Sequence, residues 1–332
     1  MVLALRFISP FVFAAISSWA LAAPPPPPNF AREAALDNAS CGENEVIASS
    51  TTIARKVESL TAEDFGGADG KIGELGFRWA YSLTSDDPRF GGITGLEVSP
   101  AGLIAISDSK HWIDFDMSQG GVEEGPIIAV APMIGIETNP SGLMHFYRSH
   151  YVGLPEEYKL IRFALDICGV DARGVDYFEL SSPVTALATV AYSYTLFSGP
   201  SDLDGSRAES VSNIWWDSPS LDKPEAPSVD GHELVDVSGP LRIVPFGMFG
   251  LWNPSDGAVG SILQVFEMPQ WDDRRRAGET PQSTGHIVAR LPTIFRALTA
   301  AFYPDEMVTD IFLATQAAPG EPTILLCLEY RE

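Results

Sequence analysis

Two short stretches carry side chains that could do chemistry together. Ser107-Asp108 is followed by Lys110-His111, and Arg148-Ser149-His150 stands forty residues further on. A carboxylate such as Asp108 can take a divalent cation, calcium above all. Arg and His can grip a phosphate or carboxylate, the former bidentately and the latter as a point charge. Asp108, Arg148 and His150 are therefore the expected site, with Asp108 as its metal ligand. The competing reading is an Asp108–Arg148 ion pair that only ties two parts of the fold together.

Other common site patterns are missing. No G-x-S-x-G is present, so no nucleophile elbow is written into the chain. H-E-x-x-H is also absent, and His111, His145, His150, His232 and His286 lack zinc-site spacing. Alternation along an extended chain is expected to put His145 and His150 on opposite faces. GGADGK at 66–71 resembles a phosphate loop but lacks its spacing and its Ser or Thr, so a turn is expected. Asp202-Leu203-Asp204-Gly205 has half of a calcium loop and reads as a solvated turn.

The elements that must position these residues are strands. From about Val46 onward, short apolar runs alternate with Gly, Pro, Asp and Ser clusters, the pattern of many short strands. LIAIS at 103–107, SILQVF at 261–266 and TILLCLEY at 323–330 are clear examples; PTIFRALTAAF at 292–302 is the best helical candidate, with Pro suited to a first turn. GLEVSPAGL at 95–103 recurs as GIETNPSGL at 135–143, a period of 40, with a weaker copy GLWNPSDG at 250–257. Strand-built repeats of about 40–45 residues are the mark of propeller blades. The expectation is an all-β chain forming a β-propeller of about six or seven blades, with Asp108 and Arg148 at equivalent positions on one rim.

SLTSDDPRFGGITGLEVSP followed by LIAISDSKHW resembles the entry segment of the phytase-like ("esterase-like activity of phytase") family of secreted bacterial proteins. Phe90-Gly91-Gly92-Ile93-Thr94-Gly95-Leu96 and Ser107-Asp108 carry the resemblance, which runs from about Gly73 to His150. Gly135-Ile136 and Arg148-Ser149-His150 fit the next element, whereas Ile134 stands where the family usually has an acid. The last strand, Ile324 to Tyr330, also fits, yet Ala314-Thr315-Gln316 occupies the place of an acidic Ser-Asp pair. The resemblance implies a propeller hydrolase acting on a small-molecule phosphate or carboxyl ester, with calcium as its only cofactor. The replaced acids leave open a non-catalytic propeller that binds a ligand or a partner protein.

The first residues carry one positive charge, an apolar core and Ala20-Leu21-Ala22, the anatomy of a signal peptide over 1–22 cleaved before Ala23. Export to the periplasm or the extracellular space is expected, with no membrane span after cleavage. Residues 23–45, opening on Pro24–Pro28, read as a Pro-rich tether, and 46–332 as the propeller domain. A formal net charge of −23 argues against nucleic acid or anionic lipid as a partner. Three cysteines, Cys41, Cys168 and Cys327, permit one disulfide, and Cys41–Cys327 is the expected pair because propellers often close by joining the chain ends.

Overall fold

The computed structural model describes residues 51–99, 102–117, 124–146, 149–163, 174–179, 184–190, 193–198, 207–210, 229–238, 246–268, 284–303 and 307–331. These are almost entirely strands in five antiparallel sheets. The first sheet runs from β5 (Ile93–Ser99) through β6 (Gly102–Ser107) and β7 (His111–Asp116) to β8 (Ile127–Pro132), with β1 (Thr51–Thr52) at its edge. The second comprises β9 (Ser141–Phe146), β10 (Ser149–Leu154), β11 (Lys159–Phe163) and β12 (Gly174–Glu179). The third has three strands, β13 (Val184–Val190), β14 (Ser193–Ser198) and β15 (Arg207–Ser210). The fourth is β16 (His232–Ser238), β17 (Phe246–Pro254), β18 (Ser261–Met268) and β19 (Thr284–Leu291).

The fifth sheet joins the two halves of the chain. β20 (Ala297–Tyr303), β21 (Val308–Ala314) and β22 (Thr323–Arg331) are continued by β4 (Leu75–Thr84) and β2 (Lys56–Leu60), with β3 (Lys71–Ile72) paired to β4. The first strands of successive sheets pack in a closed cycle, β5 on β9, β9 on β13, β13 on β16, β16 on β20 and β20 back on β5. This is a β-propeller arrangement. The described residues form four sheets of at least four strands and one of three, not the expected six or seven blades.

Apolar packing lies between neighbouring sheets. Leu298, Ile311, Leu313, Leu326 and Leu328 of the fifth sheet meet Phe249, Leu251, Leu263 and Val265 of the fourth. Leu325 and Ala314 of the fifth meet Leu96, Leu103 and Phe115 of the first, and Trp112 of the first meets Val152, Ile161 and Phe163 of the second. A strand covered on both faces loses its polar alternation. That is why GLIAIS is almost wholly buried along β6 and TILLCLEYR nearly so along β22.

Two local expectations fail for one reason. PTIFRALTAAF is not a helix; residues 297–303 are the strand β20, paired along its length with β21. Alanine favours helix only weakly, and pairing overrides it; small residues suit a first strand that faces sheets on both sides. The repeat is likewise not a blade period. Leu103 lies at the start of the second strand of its sheet, after Gly102, whereas Leu143 lies in the first strand of the next. The two copies lie against each other, for a Cβ on Gly95 would meet Leu143 Cβ at 2.8 Å, and Thr94 Oγ1 donates to Pro140 O at 2.8 Å.

GGADGK is a turn, as expected: Ala68 and Lys71 exchange backbone hydrogen bonds, and Gly66 and Gly70 take positive φ. Cys327 is a free thiol buried in the fifth sheet, where burial pushes its pKa upward. Cys41 and Cys168, the signal segment, the whole tether and Asp202–Gly205 lie outside the described residues. Among the described residues no helix is long and apolar enough to cross a membrane.

Candidate functional site

Asp108 sits at the turn between β6 and β7, and the Gly91-Gly92 pair explains its setting. Gly92 has φ +62°, and a Cβ there would lie 2.0 Å from Asp108 Oδ1, so only glycine lets the carboxylate approach. Asp108 N donates to Gly92 O at 2.8 Å, and Gly92 N donates to Ala317 O at 2.6 Å. Gln316 Nε2 donates to Asp108 Oδ2 at 3.0 Å. A glycine loop before the first sheet, a turn within it and the β21–β22 connection of the fifth thus meet at one seam. Gln316, in the position where the family resemblance leads one to expect an acid, is the partner of Asp108.

This donor set does not suit calcium. The ion takes six to eight oxygens and several carboxylates, whereas Asp108 is engaged by an amide N–H. No group of three His, Cys, Asp or Glu side chains able to hold a metal occurs among the described residues.

The expected convergence of Asp108 with Arg148 and His150 does not follow from the topology. β5 and β9 begin at the same end, as the Thr94–Pro140 bond shows. Asp108 follows β6, which returns to that end, whereas Phe146 closes β9 at the opposite one. Arg148 itself lies outside the described residues. His150 is the second residue of β10, where its ring stands edge-on to Trp112 with centroids 5.8 Å apart. His145 and His150 are direct cross-strand partners, not residues of opposite faces, because a hairpin intervenes between them.

The turn after β6 instead gathers side chains that the sequence did not single out as a group. Ser107 Oγ lies 2.9 Å from Ser109 Oγ, and Ser109 Oγ lies 3.2 Å from His111 Nδ1. Asp87 accepts from Arg89 through both oxygens, Nε at 2.9 Å and Nη2 at 2.7 Å. Those bonds hold the Asp87 carboxyl below its ordinary pKa. Burial lowers the pKa of the His111 imidazole; a hydrogen bond with the Ser109 backbone opposes the shift, Arg89 adds to it, and Asp87 opposes it. Asp87 and Arg89 stand two apart in SDDPRFGG, a stretch read for its glycines rather than its charges.

Asp87 and Arg89 also border an open cleft of about 440 Å³ between the N-terminal strands and the β4–β5 connection. Its other polar walls are Thr51, Thr52, Arg55, Lys56, Thr84, Ser85 and Asp86. Arg55 Nη2 donates to Glu124 O and Gly125 O at 3.2 and 3.3 Å, while its Nε is buried without a hydrogen-bond partner. Lys56 makes no ion pair among the described residues. Ser85 Oγ donates to Ala54 O at 2.7 Å and accepts from Asp87 N at 3.2 Å, so the wall is held from both sides.

No family model matches the chain, and no curated protein is similar to it. Among solved structures it is similar to a glutaminyl cyclase from Myxococcus xanthus at 10% identity and TM-score 0.43, over 78% of this chain and 97% of that one. It is similar to a chain of the mitotic checkpoint complex at 10% identity and TM-score 0.41, over 88% and 96%. A hydrazine synthase chain from Kuenenia stuttgartiensis gives 9% identity and TM-score 0.38 over 70% of this chain, which spans 57% of that enzyme chain.

Proposed function

We propose that the protein is an exported, phytase-like β-propeller that binds a small anionic molecule, a carboxylate or phosphate ester, in the cleft between its first and fifth sheets. The observation that carries this reading is the charge of the cleft. Arg55, Lys56 and Arg89 face Asp86 and Asp87 in a chain whose formal net charge is −23. An anion is repelled by the molecule as a whole, but at physiological salt that field fades over about 8 Å. Asp87 takes up the charge of Arg89, so within the cleft Arg55 and Lys56 against Asp86 leave an excess of one positive charge, and threonine and serine hydroxyls can complete the hydrogen bonds. A calcium-assisted phosphoesterase is the weaker reading, since Asp108 is satisfied by Gln316.

The test is thermal unfolding with phenyl phosphate and with benzoate as probes, over a range of salt concentrations. Both anions raise Tm in a saturable, salt-sensitive way, and Lys56→Glu abolishes the rise without lowering the unliganded Tm. No rise in the wild-type protein, or an equal rise in Lys56→Glu, overturns the assignment.

A further inference from the structure

We propose that Ser109 and His111 form a nucleophile–base pair that cleaves carboxyl esters, a chemistry beyond binding; the choice of an anionic ester as substrate rests on the cleft assigned above. A count of protons on the turn supports the pair. Ser107 Oγ, fully buried, accepts the His111 N–H at 3.1 Å. Its single proton has Ser109 Oγ at 2.9 Å and His111 O at 3.3 Å as acceptors, and the nearer is Ser109. In the tautomer with the ring hydrogen on Nε2, His111 Nδ1, 3.2 Å away, is the acceptor for the Ser109 proton. A serine hydroxyl directed at an unprotonated imidazole nitrogen is what nucleophilic activation requires.

The backbone presents this hydroxyl outward. Ser109 is exposed, and Lys110 beside it has φ +63°, a left-handed conformation uncommon outside glycine. Contacts on every side over-determine the turn: Lys110 N donates to Ser107 O, Met133 N donates to Lys110 O, and Lys110 Nζ bonds to Glu137 O. Strain of this kind persists only where the surroundings enforce it, and such places are often functional. Burial lowers the His111 pKa and so favours the neutral ring that can accept a proton, while the Ser109 backbone and Asp87 favour the imidazolium. Arg89 uses Nε and Nη2 for Asp87, and the two charges act in opposite senses on the His111 ring.

The reaction balances without a co-reactant other than water. Ser109 Oγ attacks the ester carbonyl as its proton passes to His111 Nδ1. The C–O bond to the leaving alcohol breaks, and the alkoxide takes that proton, leaving an acyl-Ser109. Water then gives a proton to His111 and attacks the acyl carbon; Ser109 leaves with the proton returned, releasing the carboxylic acid. Phosphoryl transfer would need positive charge spread around three oxygens, and Arg89 is largely offset by Asp87.

The experiment uses the full-length protein, a fluorophosphonate probe and p-nitrophenyl acetate, with folding of every variant checked by circular dichroism. The probe forms an adduct on the peptide containing Ser109, and Ser109→Ala and His111→Ala each lose on the order of 10²-fold or more in ester hydrolysis. A wild-type protein without that adduct, or a Ser109→Ala variant that hydrolyses as fast as wild type, overturns the pair. The two proposals fail separately: a Ser109 adduct in a wild-type protein whose Tm no anion raises removes only the cleft, whereas a missing adduct with the Tm rise intact removes only the nucleophile.

Discussion

Asp236, on the first strand of the fourth sheet, accepts the backbone N–H of Leu298, on the first strand of the fifth, at 2.7 Å. Its other oxygen accepts Val237 N–H at 2.9 Å, and the residue is 2% exposed. A buried carboxylate thus bridges two neighbouring sheets and satisfies a strand-edge donor that no water would reach. Burial raises its pKa well above the ordinary value; the two N–H donors oppose the shift, and the charge of Glu97 adds to it.

That shift sets a pH dependence. With the folded pKa above the unfolded one, the folded state holds more protons between them, so stability is greatest below the unfolded pKa and is lost as pH rises through the folded pKa. Asp236→Asn removes this loss while keeping one oxygen acceptor. The difference in Tm between Asp236→Asn and wild type should therefore grow in favour of the variant from acid toward neutral pH. A difference constant across that range would contradict the assignment.

Gly92 and Asp108 should behave as a coupled pair. Gly92→Ala introduces both a left-handed alanine and a Cβ in the space of the Asp108 carboxylate, and its cost in urea unfolding should exceed the roughly 1–2 kcal/mol of the backbone effect alone. In an Asp108→Ala background the steric part disappears. Equal costs in the two backgrounds would show that the carboxylate does not occupy the position beside Gly92.

A third expectation concerns the fourth sheet. Asn253 Nδ2 donates to Phe295 O at 2.8 Å, Ser261 Oγ donates to Asn253 Oδ1 at 2.6 Å, and Phe295 N donates to Ser261 Oγ at 2.9 Å. This closed ring of buried bonds anchors the entry to β20. Asn253→Ala strands a buried carbonyl and leaves the Ser261 hydroxyl proton without its acceptor, at about 1–3 kcal/mol per group. Ser261→Ala should be less than additive with it because both changes break the same ring. Full additivity in denaturant titrations would mean that the three bonds are independent.

Much of the fold was legible because short-range chemistry writes it. Apolar runs broken by Gly, Pro and Asp announce strands, and VSPAG and NPSDG at 98–102 and 253–257 span hairpin connections, β5–β6 and β17–β18. The unbroken apolarity of LIAIS and TILLCL already indicates strands covered on both faces. The acidity of the chain was readable in the same way, whereas the approach of Gly92 to Asp108 was not, since the two are sixteen residues apart.

Position around the ring was not legible, because it depends on contacts between residues far apart in sequence. The forty-residue period pairs Leu103 with Leu143 in letters, but pairing partners place one on a second strand and the other on a first. The sequence supplied Ser109, His111, Asp87, Arg89, Lys56 and Gln316 as separate polar residues; only closure of the fifth sheet by strands from both ends of the described chain brings Gln316 to Asp108 across 208 positions. The same closure sets Arg55 and Lys56 opposite Asp87 and Arg89. The alanines of β20 show the converse: their intrinsic preference is worth a few tenths of a kcal/mol each, and the hydrogen bonds and burial offered by β21 and the neighbouring sheets outweigh it.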